Sequence, residues 1–452
     1  MTGDADAIAR YDLTLDRFLR YHPDVVELAT EVATAARPVP MASALYAYLH
    51  LMGTDADDRG PAVDAYRALT TSAGIDRERA HADAIGDWLA GDWHGAANTL
   101  DELLARWPTD VLALMFGHQL DFFLGDAQRL RDRPLRTLAV LDHPHAGFVR
   151  GMAAFGLEES GQYDAALDTG LAAVAAHPDD VWAIHAVVHT HEMRGAVDEG
   201  IRFLRSDDTA WEAGNLFTVH NWWHMALYEL EAGRPDRALA IYDTEIHHAG
   251  SAGIPIEMLD ASALLWRLLL DGVDTGDRFA VLADAWAPKV AAAPWYAFND
   301  LHATMALAGA DRRAEAGAVV DRLTAYLETA TGSNARFTAA VGLPACRAVV
   351  AFVEDDHDEV VELLQPIRRT LNVFGGSHAQ RDALQRTLLE SALRAGRYEL
   401  AVALTDERLG GRETSVYSWL QRSRARRGLG DLDGAESATA AAAAHRSRFA
   451  AA

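Results

Sequence analysis

The stretch Gly161-Gln162-Tyr163-Asp164-Ala165-Ala166-Leu167 decides the fold, and Gly195-Ala196-Val197-Asp198-Glu199-Gly200-Ile201 restates its pattern one period later. Each opens on a glycine and runs into small and apolar residues at helical spacing. The glycine permits the left-handed turn that ends one helix, and the small residues let the next helix pack closely. The pattern recurs, so that Gly91, Gly125, Gly161, Gly195 and Gly233 stand 34, 36, 34 and 38 residues apart. Gly396 and Gly430 form a further pair, again 34 apart. Trp107-Pro108 and His177-Pro178 stand where the second helix of a pair would end. A period near 34 with glycine between two helices and proline after the second is the tetratricopeptide (TPR) signature.

One helix hairpin cannot bury its own apolar stripe, so neighbours must stack. The expected fold is therefore all-α, a right-handed α-solenoid of TPR-like helix hairpins with a concave central pocket. No period-2 alternation competes with it. Segments 1–85 and 240–390 repeat less cleanly. The chain reads as an N-terminal helical segment, 1–85, followed by one continuous array, 86–450, that carries the site.

Composition narrows the function. Half of the 452 residues are apolar and 24% are charged, which is ordinary globular composition. Lys and Arg total 41 against 66 Asp and Glu, for a net charge of −25. That excess repels phosphates and anionic lipid, so neither nucleic acid nor a membrane is expected as a partner. The single cysteine, Cys346, excludes an internal disulfide and any cysteine-based zinc or iron–sulfur site. The N-terminus carries no secretory pattern, and no uninterrupted apolar run reaches roughly 18 residues. The expected location is cytoplasmic, and a homo-oligomer is allowed.

Polar residues in otherwise apolar helices mark the candidate site. In Trp182-Ala183-Ile184-His185-Ala186-Val187-Val188-His189-Thr190-His191-Glu192, the residues His185, His189 and Glu192 share one helix face. Two imidazoles and a carboxylate on one face can ligate a metal, or act as an acid/base pair with an orienting carboxylate. The zinc-protease motif is not met, because Ala186 follows His185. In Val219-His220-Asn221-Trp222-Trp223-His224, His220 and His224 again share a face, one repeat later. Equivalent helices of adjacent repeats stand about 10 Å apart, so four histidines could converge on one concave spot. The competing reading makes the tryptophans core anchors and the histidines ordinary packing residues.

The next inner positions hold Glu257-Met258-Leu259-Asp260 with Arg267, and then Phe298-Asn299-Asp300-Leu301-His302. Buried carboxylates need partners, so Asp260 and Asp300 are expected to face histidines or Arg267. Helix capping by Asn299 or Asp300 is the alternative. In Gly375-Gly376-Ser377-His378-Ala379-Gln380-Arg381, Ser377 reads as an N-cap, and a helix start beside Arg381 suits an anion. An ordinary capped loop would look the same. A phosphate-binding loop and a Rossmann glycine fingerprint are both missing.

Taken together, several stretches resemble the tetratricopeptide repeat protein 38 family over residues 90–400. They are His177-Pro178 to Glu192-Met193, His220-Asn221-x-Trp223-His224, Tyr242-Asp243-Thr244, Met258-Leu259-Asp260, Phe298-Asn299-Asp300-x-His302, Leu343-Pro344, Gln365-Pro366-Ile367-Arg368 and Gly375-Gly376-Ser377-x-Ala379-Gln380-Arg381-Asp382. The resemblance implies a helical-repeat fold and little about activity. Its pattern takes in His185, His189, Glu192, His220, His224, Asp260, Asn299, Asp300, His302, Gln380 and Arg381, but not His191 or His378.

Two functions follow. In the first, a buried pocket binds and transforms a small anionic molecule by acid/base or metal-assisted chemistry. His185, His189, His220, His224 and His302 supply imidazoles, and Glu192, Asp260 and Asp300 orient them. Asn221, Trp223, Asn299, Ser377, Gln380 and Arg381 hold the substrate. No organic cofactor is expected, and a divalent zinc or iron ion is the metal variant. In the second, the protein is a non-catalytic scaffold that binds a peptide or protein on its concave face. That is the usual employment of such repeats, although fold is not function. A closed pocket of several hundred Å³ favours the first function, and residues strung along an open groove favour the second.

Overall fold

The computed structural model describes residues 3–35, 38–141, 145–206, 211–212, 214–291 and 293–449. Among the described residues every regular element is helical, and the chain forms an all-α, TPR-like solenoid. The hairpins follow the sequence period. Asp76–Leu89 pairs with Trp93–Arg106, Val111–Phe123 with Ala127–Leu138, Ala146–Glu159 with Tyr163–Ala176, and Val181–Met193 with Val197–Ser206. All seven repeat glycines sit at positive φ, between 63° and 85°.

Hairpins continue through the region where the glycine signal fades. Asp311 and Asp355 take φ of 58° and 60° in the turns after Ala297–Gly309 and Leu343–Val353. A short aspartate side chain tolerates the left-handed region, so the turn persists without glycine. Residue 85 lies inside Asp76–Leu89, so a division at 85/86 would cut the first helix of a hairpin. The helix Pro40–Met52 packs on Asp76–Leu89 and Val111–Phe123, which ties the N-terminal segment to the array.

The solenoid winds far enough to rest on itself. The Ser333 N–H donates to Gly91 O at 2.9 Å, Asn372 Nδ2 to Gly125 O at 3.1 Å, and the Thr414 hydroxyl to Gly195 O at 2.9 Å. The Arg381 and Asn299 side chains make the same kind of contact with Glu159 and Thr54. The separations in the side-chain bonds run from 219 to 247 residues. That narrow range is one superhelical turn, with the second turn seated on the first. Gly125 shows the constraint: a Cβ there would stand 1.8 Å from Asn372 O, and its φ is 63°.

First helices of the hairpins line the interior and are buried on nearly every side. Val181–Met193 buries all but one of its residues, His191, whereas the outer helix Val197–Ser206 buries only Val197, Gly200, Ile201 and Leu204. All-round burial erases an amphipathic stripe and obliges polar residues there to find partners. The interior is not an open groove. His378–Arg394 packs against both Pro255–Leu270 and Val181–Met193, and the Trp266 indole N–H donates to Thr387 Oγ1 at 2.9 Å across it. Among the described residues one run, Ser333–Val353, is long and apolar enough by composition to cross a membrane, and 56% of its most apolar window is buried in this fold.

Candidate functional site

Val181–Met193 and Thr218–Glu231 are the inner helices of consecutive repeats. His185 and His189 project from one face of the first, and His220 and His224 from one face of the second. The four rings meet, with centroid separations of 4.4 to 5.2 Å around the cluster. One nitrogen from each lies within 4.8 Å of the others. His220 Nε2 is 3.1 Å from His185 Nε2.

Carboxylates face three outer nitrogens, two of them within hydrogen-bond distance. Asp260 Oδ2 is 2.7 Å from His220 Nδ1, Glu192 Oε2 is 2.8 Å from His224 Nδ1, and Glu158 Oε2 is 3.6 Å from His189 Nδ1. Acids hydrogen-bonded to Nδ1 turn the Nε2 edges of His220 and His224 inward, the outer-partner pattern that orients metal-binding histidines, and Glu158 stands on the same side of His189 without bonding to it. Aromatic walls fix the rings further. Trp223 stacks on His220 at 5.3 Å under the Arg267 guanidinium, and Phe155 and Phe217 press on His185 at 5.1 and 4.9 Å.

Burial, reinforced by the neighbouring imidazoles, drives His185, His189 and His224 well below the ordinary histidine range. They are neutral at pH 7 and keep a lone pair for a ligand. His185 Nδ1, both nitrogens of His189, and His224 Nε2 are buried without a hydrogen bond inside the protein. A buried polar atom left so costs about 1–3 kcal/mol. Burial also raises Glu192, and burial with the adjacent Glu159 raises Glu158 to about 7.

Beside the cluster lies a chamber of about 330 Å³. Tyr21, Tyr46, Phe122, Trp182, Phe217 and Phe298 are among its mostly apolar walls, and His185, His220 and Asp260 form a polar edge. His189 and His224 stand behind that edge. The His220 side chain is 15% exposed and the Asp260 side chain 1%, with His185 at 2%, so His220 is the imidazole most open to the chamber and Asp260 the group that aims it.

The other expected residues fall in three places. Ser377 and Gln380 line the chamber, but they also cap their helix reciprocally, with Ser377 Oγ accepting from the Gln380 N–H and Gln380 Oε1 from the Ser377 N–H. Asn221 and Trp223 are fully buried beside the rings and do not line the chamber. Asn299, Asp300 and His302 are not gathered with the cluster. Asn299 donates to Thr54 O at 2.9 Å, His302 Nδ1 pairs with Phe298 O at 2.7 Å, and burial raises Asp300 to about 7. Arg381 turns away from the chamber, where Glu159 and Gly376 O take its guanidinium, so it offers no charge to a molecule bound beside the imidazoles.

Sequence reading missed Glu158, Glu159 and the N-terminal Tyr21 and Tyr46. Glu158 carried a usable signal, since it precedes Glu192 by 34 residues, one repeat. The tyrosines carried none, because only the superhelical winding brings them to the chamber. Glu158, Glu159 and His189 form a second group that could hold an ion. In that group Glu159 is already bound by Arg381 at 3.1 Å and by His378 at 3.4 Å.

No family model matches the chain. In structure it is similar to human IFIT1 with PPP-AAAA, at 11% identity and a TM-score of 0.42, covering 100% of this chain and 96% of that one. It is also similar to the TPR domain of P58(IPK), at 11% identity and 0.22, covering 82% and 93%. A chain of the Naa15/Naa10 assembly bound to HypK-THB matches at 14% and 0.27, covering 90% of this chain and 63%, less than two thirds, of that one. Several of these are TPR-containing proteins, and the likeness does not reach the narrower protein 38 family. One expectation is corrected by them. IFIT1 also occurs with the capped oligonucleotide m7Gppp-AAAA, and the exclusion of nucleic acid, which rested on net charge alone, is withdrawn. Net charge sums the whole surface and is blind to a local cationic patch.

Proposed function

We propose that this chain binds a divalent transition metal through His185, His189, His220 and His224 and applies it, with the His220–Asp260 pair, to a small and mostly uncharged molecule held in the chamber. The carrying observation is the orientation of the rings: acids hydrogen-bonded to the outer nitrogens of His220 and His224, and the inward Nε2 atoms of His189 and His224 buried without a partner inside the protein. Packing alone gives no reason for that arrangement, because each buried nitrogen without a partner is unfavourable. Neutral imidazoles suit zinc or iron. The site is intended for one ion, since four nitrogens within 4.8 Å match one coordination sphere.

The chamber supports an apolar substrate over the anionic one expected from Arg381 and Ser377. Aromatic rings dominate its walls, and the nearby guanidinium is directed elsewhere. When bound, a metal would supply Lewis-acid polarisation to a molecule in the chamber, and Asp260 on Nδ1 would steady His220 as the ligand at the chamber's edge. The filled interior supports this reading over peptide binding along an open concave face.

Elemental analysis tests it. Protein produced with zinc and iron supplied should carry about one metal ion per chain, and His189→Ala/His224→Ala should lose it. A folded wild type that neither carries metal nor takes up Zn²⁺ or Co²⁺ on titration would overturn the metal reading.

A further inference from the structure

A second cavity, of about 500 Å³, shares Phe122 and Gly376 with the chamber but holds none of the four imidazoles. Its walls carry five basic groups, Arg368, Arg369, Arg381, Arg408 and His378. The acids nearby are divided among them. Glu407 alone serves Arg368 at 2.8 Å and Arg369 at 3.1 Å. Asp382 is shared by Arg408, Arg386 and Arg412, and Glu159 by Arg381 and His378. Asp121 is taken in a two-pronged pair by the buried Arg133, at 2.7 and 2.9 Å. The walls therefore hold a surplus of positive charge in a protein whose net charge is −25.

From this geometry we propose that the second cavity binds a small molecule through a phosphate group. Guanidinium forks match the oxygens of a phosphate dianion in spacing and charge. Arg368 and Arg369 both lean on one carboxylate at the rim, and exposed pairs of that kind are weak, so a dianion can recruit them. The Arg368 Nε makes no hydrogen bond within the protein. His378 adds charge: burial disfavours its protonation, but the Glu159 carboxylate outweighs that and lifts it to about 9. The volume exceeds what phosphate alone fills, and Leu130, Leu388 and Leu404 offer the rest of the molecule an apolar flank.

Phenyl phosphate is the probe, titrated by calorimetry into the full chain at fixed ionic strength, with phenol and sulfate as controls. Wild type should bind phenyl phosphate more tightly than either control. Arg368→Ala/Arg369→Ala should weaken it by about tenfold or more, and His189→Ala/His224→Ala should leave it unchanged, which separates this site from the metal site. Should the double arginine variant not fold, Arg369→Glu, at a side chain 75% exposed, must show the same loss. No binding by folded wild type, or equal affinity in the arginine variants, would overturn the proposal.

Discussion

Glu158 and Glu192 occupy the same place at the ends of successive inner helices, and each faces the outer nitrogen of a histidine from the helix that follows. Glu158 lies 3.6 Å from His189 Nδ1, and Glu192 lies 2.8 Å from His224 Nδ1. The acids are 34 residues apart and the histidines 35, so the solenoid has copied one carboxylate–imidazole unit into two adjacent repeats. Stacking then faces the two units toward one point.

That relationship predicts the effect of Glu192→Gln. Glutamine keeps the shape but weakens the bond that fixes the His224 tautomer. Affinity for Zn²⁺ or Co²⁺ should fall by about 10- to 100-fold, with the helical circular dichroism retained. An unchanged affinity in competition with a chelator would mean that Glu192 does not orient a metal ligand.

Winding of the second turn on the first predicts unequal costs for two glycines. Gly161 has a φ of 74° and open space around its Cβ position, so Gly161→Ala should cost about 1–2 kcal/mol of backbone strain. Gly125→Ala adds a collision with the Asn372 carbonyl, which is backbone and cannot rotate away, and should cost about 3 kcal/mol or more. Urea midpoints compare the two. Equal losses would contradict the seating of residues 371–374 on the Gly125 turn.

His118 predicts an acid-side slope. It is buried against Phe155 and Trp182, and burial followed by the nearby Arg133 lowers it to about 3. The native state keeps it neutral, whereas the unfolded chain takes the proton below about 6.5. Stability is therefore lost as pH falls from about 6.5 toward 3, because the unfolded state binds more protons. His118→Phe removes that loss. Its unfolding free energy relative to wild type should rise by about 2 kcal/mol between pH 7 and pH 5. A difference that stays flat across that interval counts against a neutral buried His118.

The Arg133–Asp121 pair predicts a non-additive cycle. Both side chains are at most 1% exposed. Arg133→Met strands a buried carboxylate and should cost about 3–5 kcal/mol. Asp121→Leu in the same protein should recover most of it, since an apolar pair of similar volume needs no charge partner. Additive losses in thermal denaturation would show that the pair is not coupled.

Much of the fold was legible because it is written in local chemistry. Glycine at a left-handed turn and proline after a helix each report on a few adjacent residues, so Gly91 through Gly233 marked five hairpins. The signal failed at Asp311 and Asp355 for a local reason too, since aspartate can adopt the same backbone without announcing it. Within the site, His185 with His189 and His220 with His224 were legible as face-sharing pairs. Asn299, Asp300 and His302 looked equivalent, yet the structure gives them separate partners.

By itself the sequence determined the helix hairpins, their period and the side chains carried by each inner face, because those depend on residues within one repeat. Only the tertiary structure decided that one superhelical turn lies on another, that Tyr21 and Tyr46 close the chamber, and that Arg381 points into a different cavity. Those outcomes depend on small rotations between repeats that add up over more than two hundred residues, and no local pattern encodes their sum.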